Sequence, residues 1–270
     1  MTNSPPASRA DSDNPGLRRP HVEFRSTRLA ALPQPRLWGL WVLLLSAAVL
    51  TLGFVATNVP SFSPDEFKVD QVLSRDHNAA LTALAMALNT VFSPKDGIVI
   101  IAVVCLFVLI VRKSPVNAFA FGGVAAAGWL SSQFFKVIVD RQRPNPALLF
   151  DPLAPETGSN SFPSGHVALA VGLAWAFFFL TRKTRWGTVA VFAGVGVPVV
   201  VAWSRIYIGV HYPSDVAASF LAATAAVLLF AGLWNRYQRA ILPRIPLLGR
   251  FGPVSTAPAG VVVPANRTGH

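Results

Sequence analysis

Charge is scarce in this chain and cysteine almost absent. Only 13% of its 270 residues are Asp, Glu, Lys or Arg, about half of the roughly 25% that a soluble domain carries. With 53% hydrophobic residues and a mean hydropathy of +0.49, such a chain belongs in a membrane. The single cysteine, Cys105, excludes an intramolecular disulfide; set inside an apolar run, it reads as a small packing residue. Internal repeats are lacking, and no second domain is marked. A cleaved signal peptide is not expected, because the first apolar run starts too late and is too long. The net charge of +11, taken alone, would suggest a nucleic-acid partner. Its placement in alternate loops points instead to membrane topology, so no nucleic acid is expected.

What the chain does have is long apolar runs. Residues 1–36 are rich in Pro, Ser, Asn and Arg without apolar periodicity and read as a disordered basic tail. Residues 37–64 carry no charge, and 37–58 is long enough to span about 30 Å of hydrocarbon. Between 65 and 92, Val69, Val72, Leu73, Leu81, Leu84, Ala85, Leu88, Val91 and Phe92 recur at three- and four-residue steps among charged residues. That pattern predicts one or two amphipathic helices on the membrane face or over the bundle, a candidate lid. Ser93-Pro94-Lys95-Asp96 is a helix-start signature. Further spans are expected near 94–111, 115–138, 164–181, 187–208 and 213–235, with Gly122, Gly123 and Gly128 in the third suited to close helix packing. The expected fold is all-α, an integral membrane bundle of six transmembrane helices over residues 37–235, followed by a tail at 236–270.

Counting Lys and Arg by side gives sixteen on the side of both termini and seven on the other. Both termini are therefore expected in the cytoplasm. Three polar motifs then fall together on the outer face: Lys136 through Arg143-Pro144, Pro163-Ser164-Gly165-His166, and Ser204-Arg205 with His211 and Asp215.

Charged groups at the edges of apolar runs are expensive unless they have a use. Arg143 and Arg205 offer rigid forks of N–H donors that match phosphate oxygens, and Lys136 offers a point charge. Lys136 and Arg143 can meet on a continuing helix or through loop geometry. Ser164 and Gly165 precede a span, where free backbone amides can hold a phosphate oxygen. His166 sits at the mouth of that span, placed to give a proton to a departing oxygen. Asp215, four residues after His211, can hold one ring nitrogen and leave the other to attack phosphorus. Two histidines and an aspartate are also metal-ligand types, but three cations beside them would repel a dication and no acidic cluster lies near; no metal or other cofactor is expected. Arg141 reads as a further phosphate contact or an interfacial snorkel, and Asp140 as a partner of Arg143 or Lys136 or a helix cap. His21, His77 and His270 lie outside the motifs and receive no role, His77 being at most a lid residue.

At these residues the sequence resembles the type 2 phosphatidic acid phosphatase superfamily, shared with glucose-6-phosphatase and soluble vanadium haloperoxidases. That family's signatures are a lysine, six residues and Arg-Pro; a Pro-Ser-Gly-His; and Ser-Arg, five residues, His, three residues, Asp. All three are matched here without departure. The resemblance implies a six-helix core, His211 as nucleophile, His166 as general acid and Asp215 as its orienting carboxylate. It also implies phosphate held by Lys136, Arg143, Ser164, Gly165 and Arg205. The implied substrate is a membrane lipid phosphate or diphosphate at the outer face of a bacterial inner membrane. A polyprenyl diphosphate is the first choice, with phosphatidylglycerol phosphate or phosphatidic acid next. Phosphotransfer to another acceptor and a silent lipid transporter or scaffold are the alternatives, and no protein partner is implied.

Overall fold

The computed structural model describes residues 27–154 and 156–254. Most of the N-terminal tail, including His21, and the chain from 255 to His270 lie outside these residues. Among the described residues all regular structure is helical. In order come α1 (Trp38–Asn58), α2 (Phe62–Arg75), α3 (Ala79–Val91) and α4 (Pro94–Leu106), the last running on through a π-turn at Phe107–Val111. Then follow α5 (Pro115–Val139), α6 (Gly165–Thr181), α7 (Gly187–Tyr207) and α8 (Pro213–Ile241).

Local chemistry sets these boundaries. The Ser93 hydroxyl accepts from the Asp96 amide and Pro94 opens α4, while Asn78 accepts from the Leu81 amide at the start of α3. These bonds satisfy amides that the helix itself leaves free. α5 ends at Asp140, whose left-handed φ of 49° is a conformation that short polar side chains tolerate.

Among the described residues four helices are long and apolar enough to cross a membrane: Trp38–Asn58, Pro94–Val111, Gly187–Tyr207 and Pro213–Arg244. Their outward faces are apolar, with Leu43, Phe192 and Val195 each more than three-fifths exposed, as lipid-facing residues are. The chain is a multi-pass membrane protein. α5 and α6 pack closely against each other, α5 turning its other face, with Leu130, Phe134 and Val137, outward. On α6 seven consecutive residues, Val167 to Leu173, are buried, so the first half of this 17-residue helix is enclosed on every side, while Phe177 in its second half is exposed. Gly128 of α5 lies against Gly172 of α6, where a side-chain Cβ on Gly128 would stand 2.5 Å from the Gly172 Cα. The glycines let the two backbones nearly touch.

The described part of the N-terminal segment departs from the expected tail. Leu29 and Leu32 are buried, the Leu29 amide donates to Asn117 Oδ1 at 2.8 Å, and Trp234 Nε1 donates to the Leu29 carbonyl at 2.7 Å. Two leucines three residues apart give too short an apolar signal to be read as a docking segment. This end of the bundle gathers the start of α5 and the ends of α6 and α8, and the polar motifs lie at the other.

Candidate active site

Four helix ends supply the site: the C-termini of α5 and α7 and the N-termini of α6 and α8. The turn between α7 and α8 is closed by the Val210 amide donating to the Arg205 carbonyl at 3.2 Å. Gly209 sits at φ 74°, the left-handed position at which a helix is commonly stopped. The chain thereby reverses and His211 is carried back inward, 1% exposed. At the other ring of contacts, the Ser164 amide donates to the Asp215 carbonyl at 3.3 Å and the Ser219 hydroxyl to the Ser164 carbonyl at 3.1 Å. These two bonds fix the start of α6 to the start of α8.

His211 Nδ1 lies 3.3 Å from Asp215 Oδ2, and Nε2 lies 3.5 Å from Arg143 Nη1. An arginine N–H can only donate, so Nε2 accepts and the proton sits on Nδ1, facing the carboxylate. Asp215 Oδ2 also accepts from the Ser161 hydroxyl at 2.5 Å and from the Tyr212 amide at 3.0 Å. Burial first, then the Arg143, Arg205 and Lys136 charges, hold the His211 imidazole well below its ordinary value. The ring is neutral at physiological pH and presents a lone pair on Nε2.

Arg143 and Arg205 are joined by a residue that sequence reasoning missed. Glu156 places one carboxylate oxygen 2.8 Å from Arg143 Nη1 and the other 2.8 Å from Arg205 Nη2. Burial alone would raise this carboxyl, but Arg205 and Arg143 hold it below the ordinary carboxylate range. Two guanidinium groups sharing one two-oxygen anion is the arrangement in which phosphate is gripped. The available signal was weak: an acid among only twelve in the chain, set in a polar segment between cationic motifs.

Lys136 reaches the same cleft, its Nζ 4.0 Å from where a Cβ on Gly165 would stand; glycine leaves that space open. The Ser164 hydroxyl is buried and has no hydrogen-bond partner among the described residues. His166 Nε2 donates to the Asn89 carbonyl at 3.1 Å, leaving Nδ1 as the nitrogen that can exchange a proton. Asn89 Oδ1 accepts from Arg205 Nη1, so the end of α3 holds both a site arginine and a site histidine. No sequence signal marked Asn89.

All eight residues singled out by sequence, His211, His166, Asp215, Lys136, Arg143, Ser164, Gly165 and Arg205, thus stand at one end of the bundle. Lys136 and Arg143 meet through loop geometry, since α5 stops at Val139 and the Arg143 amide donates to the Gly158 carbonyl at 3.0 Å. Arg141 is neither a phosphate contact nor a snorkel: it is 3% exposed and donates to Asp215 Oδ1 at 2.6 Å. Asp140 caps α5. His77 bridges Asp151, at 2.9 Å, and the Tyr207 carbonyl, at 2.8 Å. Among the described residues no group of three or more His, Cys, Asp or Glu side chains is arranged to hold a metal ion.

Comparison with known proteins finds that the PAP2 superfamily model matches residues 117–239, the segment containing all three motifs. Undecaprenyl-diphosphatase BcrC of Bacillus subtilis (strain 168) is 27% identical over 187 residues, 68% of this chain and 89% of that protein. Phosphatidylglycerophosphatase B of Bacillus subtilis (strain 168) is 34% identical over 118 residues, 41% of this chain and 54% of that protein. Among solved structures, a transmembrane PAP2-type phosphatidylglycerolphosphate phosphatase from Bacillus subtilis superimposes with a TM-score of 0.60 at 21% identity, covering 73% of this chain and 98% of that one.

Proposed function

We propose that the chain is a PAP2-superfamily membrane phosphatase, on the match of its residues 117–239 to that family's model, and that it removes phosphate from a lipid phosphate or diphosphate. One observation carries the reading: Arg143 and Arg205 grip the two oxygens of a single carboxylate beside His211 Nε2, the ring nitrogen that Asp215 leaves free. A phosphoryl group in that grip would face the nucleophile directly.

In the proposed course His211 Nε2 attacks phosphorus in line and the phosphorus–oxygen bond to the leaving group breaks. His166, protonated on Nδ1, gives that proton to the leaving oxygen. Arg143, Arg205, Lys136, the Ser164 hydroxyl and the backbone amide of Gly165 hold the equatorial oxygens, which supplies by electrostatics what a metal would otherwise supply. Asp215 stabilises the imidazole as it becomes positive. Water then attacks the phosphohistidine while His166 Nδ1 takes a proton from it. The phosphorus–nitrogen bond breaks, inorganic phosphate leaves, and His211 recovers its lone pair.

The proposed topology has six spans, with α5 and α6 added to the four long apolar helices, and puts both termini in the cytoplasm, with Leu29 and Leu32 docked at that end of the bundle and α8 running on to Ile241. Sixteen of the 23 Lys and Arg residues then lie on the cytoplasmic side of a bacterial inner membrane and the site opens on the other. The proposed substrate is undecaprenyl diphosphate, supported by the relative with which nearly the whole of that protein aligns. A glycerolipid phosphate is the second reading, favoured by the higher identity to the phosphatidylglycerophosphatase over a shorter stretch.

The test is phosphate release in detergent micelles with chelator present, from undecaprenyl diphosphate, phosphatidylglycerol phosphate, phosphatidic acid and a soluble monoester. Wild type should prefer the polyprenyl diphosphate and His211→Ala should release nothing. Preference for a glycerolipid moves the substrate and keeps the chemistry. Full activity in His211→Ala, or a requirement for added Mg2+ or Zn2+, refutes the mechanism.

A further inference from the structure

Arg141 occupies the position in this site that its reaction chemistry leaves unexplained. The guanidinium lies behind Asp215, on the side away from His211. Nη1 donates to Asp215 Oδ1 at 2.6 Å and to the Ser214 hydroxyl at 2.7 Å; Nη2 donates to Glu66 Oε2 at 2.8 Å and to the Ser63 hydroxyl at 2.7 Å. Its face rests on the Tyr212 ring, 4.0 Å from the centroid. The two nitrogens therefore divide between two parts of the protein, one bonding α8 and the other α2.

Glu66 completes the bridge. Its Oε1 accepts from the Ser214 backbone amide at 2.7 Å and its Oε2 from the Ser214 hydroxyl at 2.6 Å. Ser214 stands in the first turn of α8, where amides have no partner within the helix. A carboxylate there also meets the positive end of the helix dipole, so α2 caps α8 from outside. Ser63 continues the tie into α1, its hydroxyl donating to the Ala56 carbonyl at 2.8 Å.

We infer that Arg141 and Glu66 form a positioning unit, through which α2 holds the Asp215 carboxylate in the orientation that directs His211. Asp215 has two oxygens and needs Oδ2 turned to the imidazole. With Oδ1 clamped by a guanidinium, Oδ2 is left to His211, Ser161 and the Tyr212 amide. The clamp also provides the countercharge that a fully buried carboxylate requires. Arg141 is shared by two carboxylates, Glu66 and Asp215, and a third, Asp70, lies one turn beyond Glu66 on α2 and resists ionisation. Burial, with Asp215 second, pushes the Asp70 carboxyl up to about 8. The segment between spans one and two is then a working part of the active site, and the catalytic pair is complete only with α2 seated.

This inference rests on the phosphatase reading, and its test separates the two. Wild type, His211→Ala, Arg141→Gln, Arg141→Lys, Glu66→Gln and Arg143→Gln are purified in micelles and assayed for kcat and for inhibition by inorganic phosphate. Arg141 touches no phosphate, so Arg141→Gln should lower kcat about 100-fold, the scale of a small misplacement of reacting groups, while the inhibition constant for phosphate stays within about twofold. Glu66→Gln, isosteric and only half of the unit, should lower kcat about tenfold with the same unchanged inhibition constant. Arg141→Lys should fall between wild type and Arg141→Gln, and Arg143→Gln should weaken phosphate inhibition. If Arg141→Gln does not fold, Glu66→Gln decides. Wild-type kcat in Glu66→Gln and Arg141→Lys, or parallel loss of kcat and phosphate affinity, overturns the positioning unit and leaves the phosphatase standing. A wild type that releases no phosphate from any substrate overturns both.

Discussion

Glu156 stands where the structure leads us to place the substrate's phosphoryl group, so replacing it by glutamine should make the site bind phosphate more tightly. Phosphate must break two charge-assisted contacts, each 2.8 Å long, to Arg143 and Arg205. Such a bond is worth about 1.5–3 kcal/mol when buried. The arginines are 8% and 0% exposed but the Glu156 side chain is 36% exposed, so solvent screening reduces the pair to roughly 1–2 kcal/mol in total. At about 1.4 kcal/mol per decade, Glu156→Gln should lower the inhibition constant for inorganic phosphate about tenfold. The assay is competitive inhibition in micelles at fixed ionic strength, since screening would otherwise blur the comparison. A second readout follows from the same charge. Glu156 opposes the three cations that hold His211 down, so without it the imidazole titrates lower still. The acid limb of kcat/KM in Glu156→Gln should then move to lower pH than in wild type, measured on one substrate so that the titration of the substrate itself cancels. An unchanged or weaker phosphate inhibition, or an acid limb displaced upward, refutes the view that Glu156 occupies the anion site.

Other outcomes are expected from other parts of the molecule. His166→Ala should lose about 10²- to 10⁴-fold in rate on an alkyl phosphate and much less on a nitrophenyl phosphate, whose leaving group needs no proton; equal losses would refute the general-acid role. Asp70, 0% exposed and with no hydrogen-bond partner for either oxygen among the described residues, is raised from 3.8 to about 8. The folded state then binds the extra proton, so stability should be greatest at low pH and fall by about 1.4 kcal/mol per unit between roughly pH 4 and 8. At pH 7 the accumulated loss is about 4 kcal/mol, and thermal unfolding of Asp70→Asn against wild type at pH 5 and 7 should show the variant without this slope. Gly128→Val should force α5 and α6 apart, because a Cβ would stand 2.5 Å from Gly172 Cα and 3.1 Å from its nitrogen. A destabilisation of about 1–3 kcal/mol, read as a lower Tm, is expected.

The parts of this protein that could be read from sequence are those whose signal is local. A run of apolar residues marks a helix that must face lipid, and a Ser-Pro or Gly next to a helix end marks a cap or a reversal. His211 and Asp215 are four residues apart, so the turn before α8 alone brings them together. Lys136, Arg143, Ser164, Gly165, His166 and Arg205 each stand at the end of an apolar run, where a charged or flexible residue is conspicuous. That they share one face was expected from counting Lys and Arg along the loops. In α5 the glycines were visible as close-packing positions, though not that Gly128 would meet Gly172 while Gly122 meets Cys105 and Gly123 meets Phe230.

What only the tertiary structure decided are the contacts between residues distant in the chain. Glu156 reaches Arg205 across 49 positions and Glu66 reaches Ser214 across 148; Asn89 reaches Arg205 across 116. No periodicity or spacing encodes such pairs, because each depends on how separate helices are laid side by side. Arg141 shows the limit most plainly. Two residues from Arg143 in a polar segment, it reads as another phosphate ligand, but the left-handed turn at Asp140 and the packing of α2 against α8 send it behind Asp215. Composition and spacing determined that this is a membrane protein with cations, imidazoles and a carboxylate for phosphoryl chemistry. The arrangement of the helices decided which cations meet Glu156 and which meets Asp215, since the role of a charge is set by its nearest opposite charge in space.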